Sequence, residues 1–89
     1  MNTKFHLGRL LATPGALDAL PDPQQRLTLL RRHASGDWGD VCADDAAVNE
    51  AALRNGSRIF SAYQVGEERV WVITEADRSA TTILLPNEY

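Results

Sequence analysis

The hydrophobic pattern of the C-terminal third predicts strands around which the rest of the chain can pack. In the segment RVWVITEADRSATTILL (69–85), bulky apolar residues concentrate at both ends of a charged turn, Glu75–Arg78. Bulky aromatic and β-branched residues are typical of strands. The alternating segment 57–65 precedes them and ends at Gly66-Glu67, so the pattern predicts three consecutive strands. A hairpin such as 69–85 is only marginally stable alone, so other elements must pack against it.

Capping signals predict two helices in the N-terminal half. Thr13-Pro14 and Asp22-Pro23 each place a capping residue before a proline at the first helical position. They predict one helix over 14–20 and a second over about 23–34, where Gln25 can close a capping box with Asp22. The residues expected to face inward are Ala16, Leu17, Leu20, Leu27, Leu30 and Ala34, and those expected to face outward are Arg26, Arg31 and Arg32.

A third helix is predicted over 43–55, after a glycine- and aspartate-rich loop at 35–40. Asp44 is the expected cap, and Asn55-Gly56 is a strong stop because glycine readily adopts a left-handed conformation. We expect a small-residue stripe to allow close approach to a sheet; its members are Val48, Ala51 and Ala52.

The imperfect alternation of 5–12 predicts one further strand, weakened by Gly8. The expected order is therefore β-α-α-α-β-β-β in a single domain, 1–89. We expect an α+β fold in which an antiparallel three- to four-stranded sheet is covered on one face by three helices. The other face would stay partly open, and an open face carrying Tyr63 and Trp71 would imply a partner or self-association.

Composition and charge narrow the functional class. The chain is 44% hydrophobic and 24% charged, which is typical of a globular protein rather than a disordered one. Nine basic and twelve acidic residues give a net charge of −3, so nucleic acid is an unlikely partner. The single cysteine, Cys42, permits no internal disulfide and favours a reducing, cytoplasmic setting. We expect no signal peptide and no membrane span.

Three segments together resemble a family of small bacterial proteins usually labelled plasmid-related or uncharacterised. They are SGDWGDVCADDAAVNEAAL, SRIFSAY and VWVITEADRSATTILLPNEY, and the similarity includes ATPGAL near the start. The resemblance implies a mobile-element setting in the bacterial cytoplasm. It brings no biochemical activity with it, because fold or family alone does not define a function.

The loop at 37–40 provides the first candidate site. Trp38 could plug the core while Asp37 and Asp40 bond turn backbone, or it could anchor a partner, as tryptophan often does at interfaces. The acidic group that includes these aspartates matches no calcium loop, so we expect it to serve structure and solubility and expect no metal.

The turn at 75–79 provides the second candidate site. Glu75 and Asp77 beside Arg78 could form an ion pair that fixes the hairpin, an exposed recognition tip, or a catalytic acid/base pair. Cys42 is expected to be a small buried hydrophobic residue. Because the sequence has no phosphate-binding loop, dinucleotide fingerprint, zinc spacing or nucleophile elbow, we expect no cofactor.

These observations favour a non-catalytic protein that acts by binding another protein, such as a host defence or nuclease component. The candidate binding residues are Asp37, Trp38, Asp40, Tyr63, Trp71, Glu75, Asp77 and Arg78. Two alternatives remain: a small nuclease-like or hydrolytic enzyme that uses the 75–78 turn, and a homo-oligomeric regulator.

Overall fold

A computed structural model describes residues 3–89. Its elements follow the predicted order and confirm the α+β class. The strands are β1 (Arg9–Ala12), β2 (Ile59–Val65), β3 (Glu68–Thr74) and β4 (Ala80–Leu84). The helices are α1 (Pro14–Ala19), α2 (Pro23–Ala34) and α3 (Ala43–Asn55), and a short 3-10 turn, Pro86–Glu88, ends the chain.

The four strands form one sheet in the order β1-β4-β3-β2. The antiparallel prediction is correct for β2, β3 and β4 but wrong for β1, which pairs with β4 in parallel. The helical crossover returns the chain to the end of the sheet from which β1 started, so β1 and β2 run in the same direction. The two hairpins that follow then make β4 parallel to β2 and therefore to β1.

The first strand begins at Arg9, four residues later than the sequence predicted. Gly8 has a φ of +66°, a left-handed conformation that interrupts an extended strand. A Cβ at this position would collide with the backbone of Arg78 and Ser79. Close packing of Gly8 on the β3–β4 turn therefore sets the start of β1.

The main core lies between the sheet and helices α1 and α2. Its fully enclosed members come from both layers: Ala16, Leu20, Leu29, Leu30, Tyr63, Val70, Val72 and Ile83. A smaller cluster joins α3 to the sheet through Trp38, Ala52 and Ile59. Among residues 3–89, no helix is long and apolar enough to cross a membrane.

The two sheet faces differ from the expected assignment. Tyr63 pairs with Val70, so its side chain lies on the helix-covered face and is 1% exposed. Trp71 pairs with Ala62 and therefore points to the opposite face. The alternative in which Tyr63 and Trp71 share an open face is wrong, because directly paired residues share a face and their chain neighbours do not.

Most helix predictions are confirmed, with corrections in α1 and α3. The Asp22–Gln25 capping box is present, and Ala16 and Leu20 are fully buried. Leu17, however, is 44% exposed, because α1 ends at Ala19 and presents only a narrow inward face.

In α3 the N-cap is Cys42 rather than Asp44, and this cysteine is exposed rather than buried. Val48 is also exposed, at 60%. Asn49 takes the inward position that the small-residue stripe assigned to Val48, since its amide pairs with the outer edge of β2.

Candidate functional site

The sheet face opposite α1 and α2 carries an aromatic cluster formed by Phe60, Trp71 and Tyr89. The Trp71 ring meets the Phe60 ring edge-on, with centroids 5.0 Å apart, and the Tyr89 ring with centroids 5.8 Å apart. Edge-to-face pairs at these separations are favourable. Ile73 and Leu84 lie on the same face and are nearly buried. The cluster therefore forms a continuous, packed surface rather than a set of isolated apolar residues.

Tyr89 lies over this face from the C-terminal turn. The Glu88 carboxylate positions the turn by accepting hydrogen bonds from the Thr13 hydroxyl at 2.5 Å and from the backbone N–H of Gly15 at 3.0 Å. These bonds lower the pKa of Glu88, with the Thr13 hydroxyl the main cause. Tyr89 itself remains 66% exposed. A large aromatic side chain is thus held on the surface beside Trp71.

Two arginines lie beside the aromatic cluster, and a third lies on the same sheet face two strands away from Trp71. The guanidinium of Arg58 lies 5.3 Å from the centre of the Tyr89 ring and donates to its hydroxyl. Arg69 shares the Trp71 face by alternation and donates to the backbone carbonyl of Asp40 at 3.2 Å. Arg9 of β1 is paired with Ala80 on the same face and is exposed.

A shallow cavity of about 260 Å³ opens beside the cluster. Its lining combines an acidic and a basic side chain with apolar and aromatic ones: Asp45, Arg58, Phe60, Trp71, Ile73 and Tyr89. The cavity is therefore continuous with the aromatic cluster and offers room beside Trp71 for a further apolar group.

Trp38 lies inside the core, as the core-plug interpretation predicted. It is 7% exposed, its ring stacks on Phe5 at 6.2 Å, and its Nε1–H donates to the Glu50 carboxylate at 2.9 Å. The indole therefore closes the smaller core cluster and has no free face for a partner.

Asp37 organises the loop beside Tyr63 through its carboxylate, whereas Asp40 contributes its backbone N–H, which donates to the Ala62 carbonyl at 2.6 Å. The Asp37 carboxylate pairs with Arg32 at 2.7 Å and accepts from the backbone N–H of Gly39 at 3.1 Å. The Arg32 hydrogen bond is the main cause that holds the pKa of Asp37 below its usual value. Burial raises the pKa of Tyr63 to about 12, and its hydroxyl donates to the Asp37 carbonyl at 2.6 Å. This group has the bonding of a structural loop anchor.

The 75–78 turn does not form a carboxylate–guanidinium pair. Among residues 3–89, the salt bridge present is that of Arg32 with Asp37. The Arg78 guanidinium instead donates to backbone carbonyls of its own turn, to that of Ala52 near the end of α3 at 3.0 Å, and to that of Ser57 in the α3–β2 connection at 2.7 Å. Asp77 accepts from the Ser79 backbone N–H at 3.0 Å. The Arg78 side chain therefore ties this turn to the end of α3 and to the α3–β2 connection, and the predicted ion pair is wrong.

A buried polar chain that the sequence analysis missed runs through His33. Its Nδ1 lies 2.5 Å from the Ser61 hydroxyl and its Nε2 lies 2.9 Å from the Thr74 hydroxyl. Thr74 contacts the Thr81 hydroxyl at 2.7 Å, and Thr81 donates to the Leu7 carbonyl at 2.7 Å.

The donor at the end of this chain fixes the histidine tautomer. Because Thr81 donates to a carbonyl, it accepts from Thr74, and Thr74 accepts from Nε2–H of His33. Nδ1 then accepts from Ser61. Burial lowers the pKa of His33 to about 3, so the ring is neutral. The spacing of Leu29, Leu30 and His33 on one face of α2 was the sequence signal for this burial.

Other candidate groups do not converge. Within the described 3–89 segment, no group of three His, Cys, Asp or Glu side chains is arranged to hold a metal ion. Cys42 and Glu75 are exposed and lie apart from the buried polar chain. The open-face aromatic cluster is thus the strongest candidate site.

Comparison with family models, curated proteins and solved structures returned no match. The resemblance to plasmid-related proteins therefore stays a prediction.

Proposed function

We propose that this protein is a non-catalytic binding protein whose open sheet face docks a protein partner. The observation that supports the proposal is the aromatic cluster: Phe60, Trp71 and Tyr89 occupy a sheet face that α1 and α2 leave uncovered. Aromatic side chains are enriched at protein interfaces because they combine large apolar area with few rotatable bonds. A neighbouring cavity gives a partner side chain a place to enter.

The charges around the cluster define the partner. Arg9, Arg58 and Arg69 lie on or beside this face, although the whole protein carries a net charge of −3. Surfaces that associate specifically are complementary in charge. The partner surface that fits presents an apolar side chain between acidic residues.

The biological setting of the proposal comes from the family resemblance. A cytoplasmic protein of a bacterial mobile element would bind a host or plasmid-encoded protein, such as a defence or nuclease component. Its effect would arise from occupying the partner's surface rather than from chemistry.

Peptide binding tests the proposal directly. An array of peptides carrying one Trp, Phe or Leu between acidic residues is compared with the same peptides carrying basic flanks. Binding is mapped by the two indole N–H signals in nuclear magnetic resonance spectra. The Trp71 signal should shift, the buried Trp38 signal should not, and acidic flanks should bind more tightly.

Matched variants locate the interface. Tyr89→Ala and Arg9→Glu should weaken binding, whereas Val48→Ala and Arg31→Glu, on exposed faces of α3 and α2, should not. Affinity capture from a bacterial lysate with the same four variants would then identify the natural partner. Absence of peptide binding, binding that ignores flank charge, or binding only to single-stranded oligonucleotides would overturn the proposal.

A further inference from the structure

The two edges of the sheet differ in whether their outward backbone groups have hydrogen-bond partners. The outer edge of β2 is occupied: the Asn49 amide pairs with both backbone groups of Phe60, and the 38–40 segment bonds both backbone groups of Ala62. The other edge is β1, which has β4 on one side only. An unpaired strand edge is a template for another strand.

The hydrogen bonds of β1 show which groups the free edge offers. Arg9 N–H donates to the Ser79 carbonyl and Thr13 N–H donates to the Ile83 carbonyl, both at 3.0 Å, so the odd-numbered residues face β4. By alternation, the N–H and C=O groups of Leu10 and Ala12 point away from the sheet. Two apolar side chains of this strand are exposed to solvent: Leu10 is 55% exposed and Leu11 is 42% exposed.

We propose that β1 pairs with β1 of a second copy in antiparallel fashion, joining two sheets into one of eight strands. This inference does not depend on the proposed function, because it concerns the free edge of β1 and not the aromatic cluster of the open face.

The flanks of β1 select one register for this pairing. Centring the twofold axis on Leu11 sets Leu10 opposite Ala12 of the second copy, and the two pairs exchange four backbone hydrogen bonds. Centring it on Leu10 would require Gly8 to pair, but its φ of +66° turns the chain away. Centring it on Ala12 would require Pro14, which has no N–H to donate.

The same register matches side chains to available space. A cavity of about 220 Å³ lies between β1 and α2, lined in part by Ala12, Leu27 and Leu30. Leu10 of the second copy would stand opposite Ala12, on the helix-covered face and beside this cavity. The contact is self-complementary, as a twofold interface requires.

Charges do not oppose this arrangement. Arg9 would stand opposite Thr13 of the second copy, and the two Arg9 residues would lie four strand positions apart, about 13 Å along the strand. That separation exceeds the Debye length of about 8 Å at physiological salt, so their repulsion is largely screened. On the open face the two Leu11 side chains would meet directly.

Association can be measured by light scattering and sedimentation from micromolar to millimolar concentration. The wild-type mass should rise from 9.8 kDa to twice that value. Leu10→Pro removes an outward N–H without touching the bonds to β4, and should raise the dimer dissociation constant by about tenfold or more. Val48→Lys, on α3 beyond the occupied edge, should leave the dimer unchanged.

A cross-linking experiment tests the register itself. In a Cys42→Ser background, Leu11→Cys places two thiols across a non-hydrogen-bonded pair, where Cα atoms approach to about 4.5 Å. Mild oxidation should yield a covalent dimer rapidly, whereas Val48→Cys should not. The circular dichroism spectrum of each variant verifies its fold. A monomer at every concentration, a dimer unaffected by Leu10→Pro, or equal cross-linking at both positions would overturn the inference.

Discussion

The side-chain amide of Asn49 replaces a neighbouring strand beside Phe60. Its Nδ2–H donates to the Phe60 carbonyl at 2.6 Å, and its Oδ1 accepts from the Phe60 N–H at 3.0 Å. Asn49 is 2% exposed on α3, so the two bonds are shielded from water. One helical residue thus satisfies the backbone at the start of the outer edge of β2, which would otherwise be open to pairing.

Replacing Asn49 should therefore destabilise the fold. Asn49→Ala leaves the N–H and C=O of Phe60 without partners in a partly buried place, and we expect a loss of about 2–3 kcal/mol in the free energy of unfolding. Urea unfolding followed by circular dichroism measures it. Asn55→Ala is the control, because Asn55 also bonds a backbone N–H but is exposed. Equal losses in both variants would contradict the edge-protection role.

The buried polar chain predicts a dependence of stability on pH. His33 has a pKa of about 3 in the folded protein against 6.5 in the unfolded chain, because burial disfavours the charged ring. Its contribution is present above pH 6.5 and is lost as the pH falls from there towards 3, since only the unfolded chain takes up the proton. Between pH 6.5 and about 4.5, the free energy of unfolding should fall by about 2 kcal/mol.

The upper part of this range, above about pH 5.5, lies clear of the ordinary titration of Asp and Glu, so the slope that urea unfolding gives there isolates the histidine. His33→Gln should flatten the dependence even if it lowers stability overall. His6→Gln is the control, because His6 is exposed and should leave the slope unchanged. A wild-type stability that is flat over this range would contradict the assignment of a neutral buried ring.

Local signals were enough to predict the elements. The threonine–proline and aspartate–proline pairs cap α1 and α2 as expected, and Gly56 ends α3 with a φ of +73°. The direction of β1 could not be read in this way. It depends on how the helical layer crosses the sheet, and the residues within 9–12 do not determine that path.

The candidate site was harder to predict because it depends on which of the two alternating sets of strand residues faces the helices. Trp38 and Trp71 look equally able to plug a core or anchor a partner, and only the register of β2 with β3 places Trp71 on the open face. A shift of one residue would exchange the faces. Asn49 and Val48 present the same problem on α3, where hydrophobicity predicts the wrong one inward because the bonding partner lies on a distant strand.

The two tryptophans should respond differently to truncation. Trp38→Ala opens a cavity in the smaller core cluster and removes the hydrogen bond to Glu50, so we expect a loss of about 3–5 kcal/mol. Trp71→Ala removes a partly exposed ring and should cost less, about 1–2 kcal/mol. Thermal or urea unfolding compares the two. A larger loss for Trp71→Ala would contradict the assignment of Trp38 as the core plug.

The last prediction concerns Arg78, whose backbone and side chain are both constrained. It has a φ of +61°, uncommon for a residue other than glycine, and its guanidinium donates to the carbonyls of Ser57 and Ala52. Arg78→Ala loses these bonds and keeps the strained backbone, so the free energy of unfolding should fall by about 2–3 kcal/mol. Arg78→Gly loses the same bonds but relieves the strain, and should be more stable than Arg78→Ala by about 1 kcal/mol.

Asp77→Ala is the matched control within the same turn, since it removes one exposed bond to Ser79 and should destabilise the protein much less than Arg78→Ala. Urea unfolding of the three variants gives the ranking. An enzyme that used this turn would behave in the opposite way: Arg78→Ala would fold with normal stability, and Asp77→Ala would abolish an effect on bacterial growth. That outcome would contradict the packing role, because an arginine bonded to the backbone carbonyls of Ala52 and Ser57 cannot be removed without loosening the junction between α3 and β2.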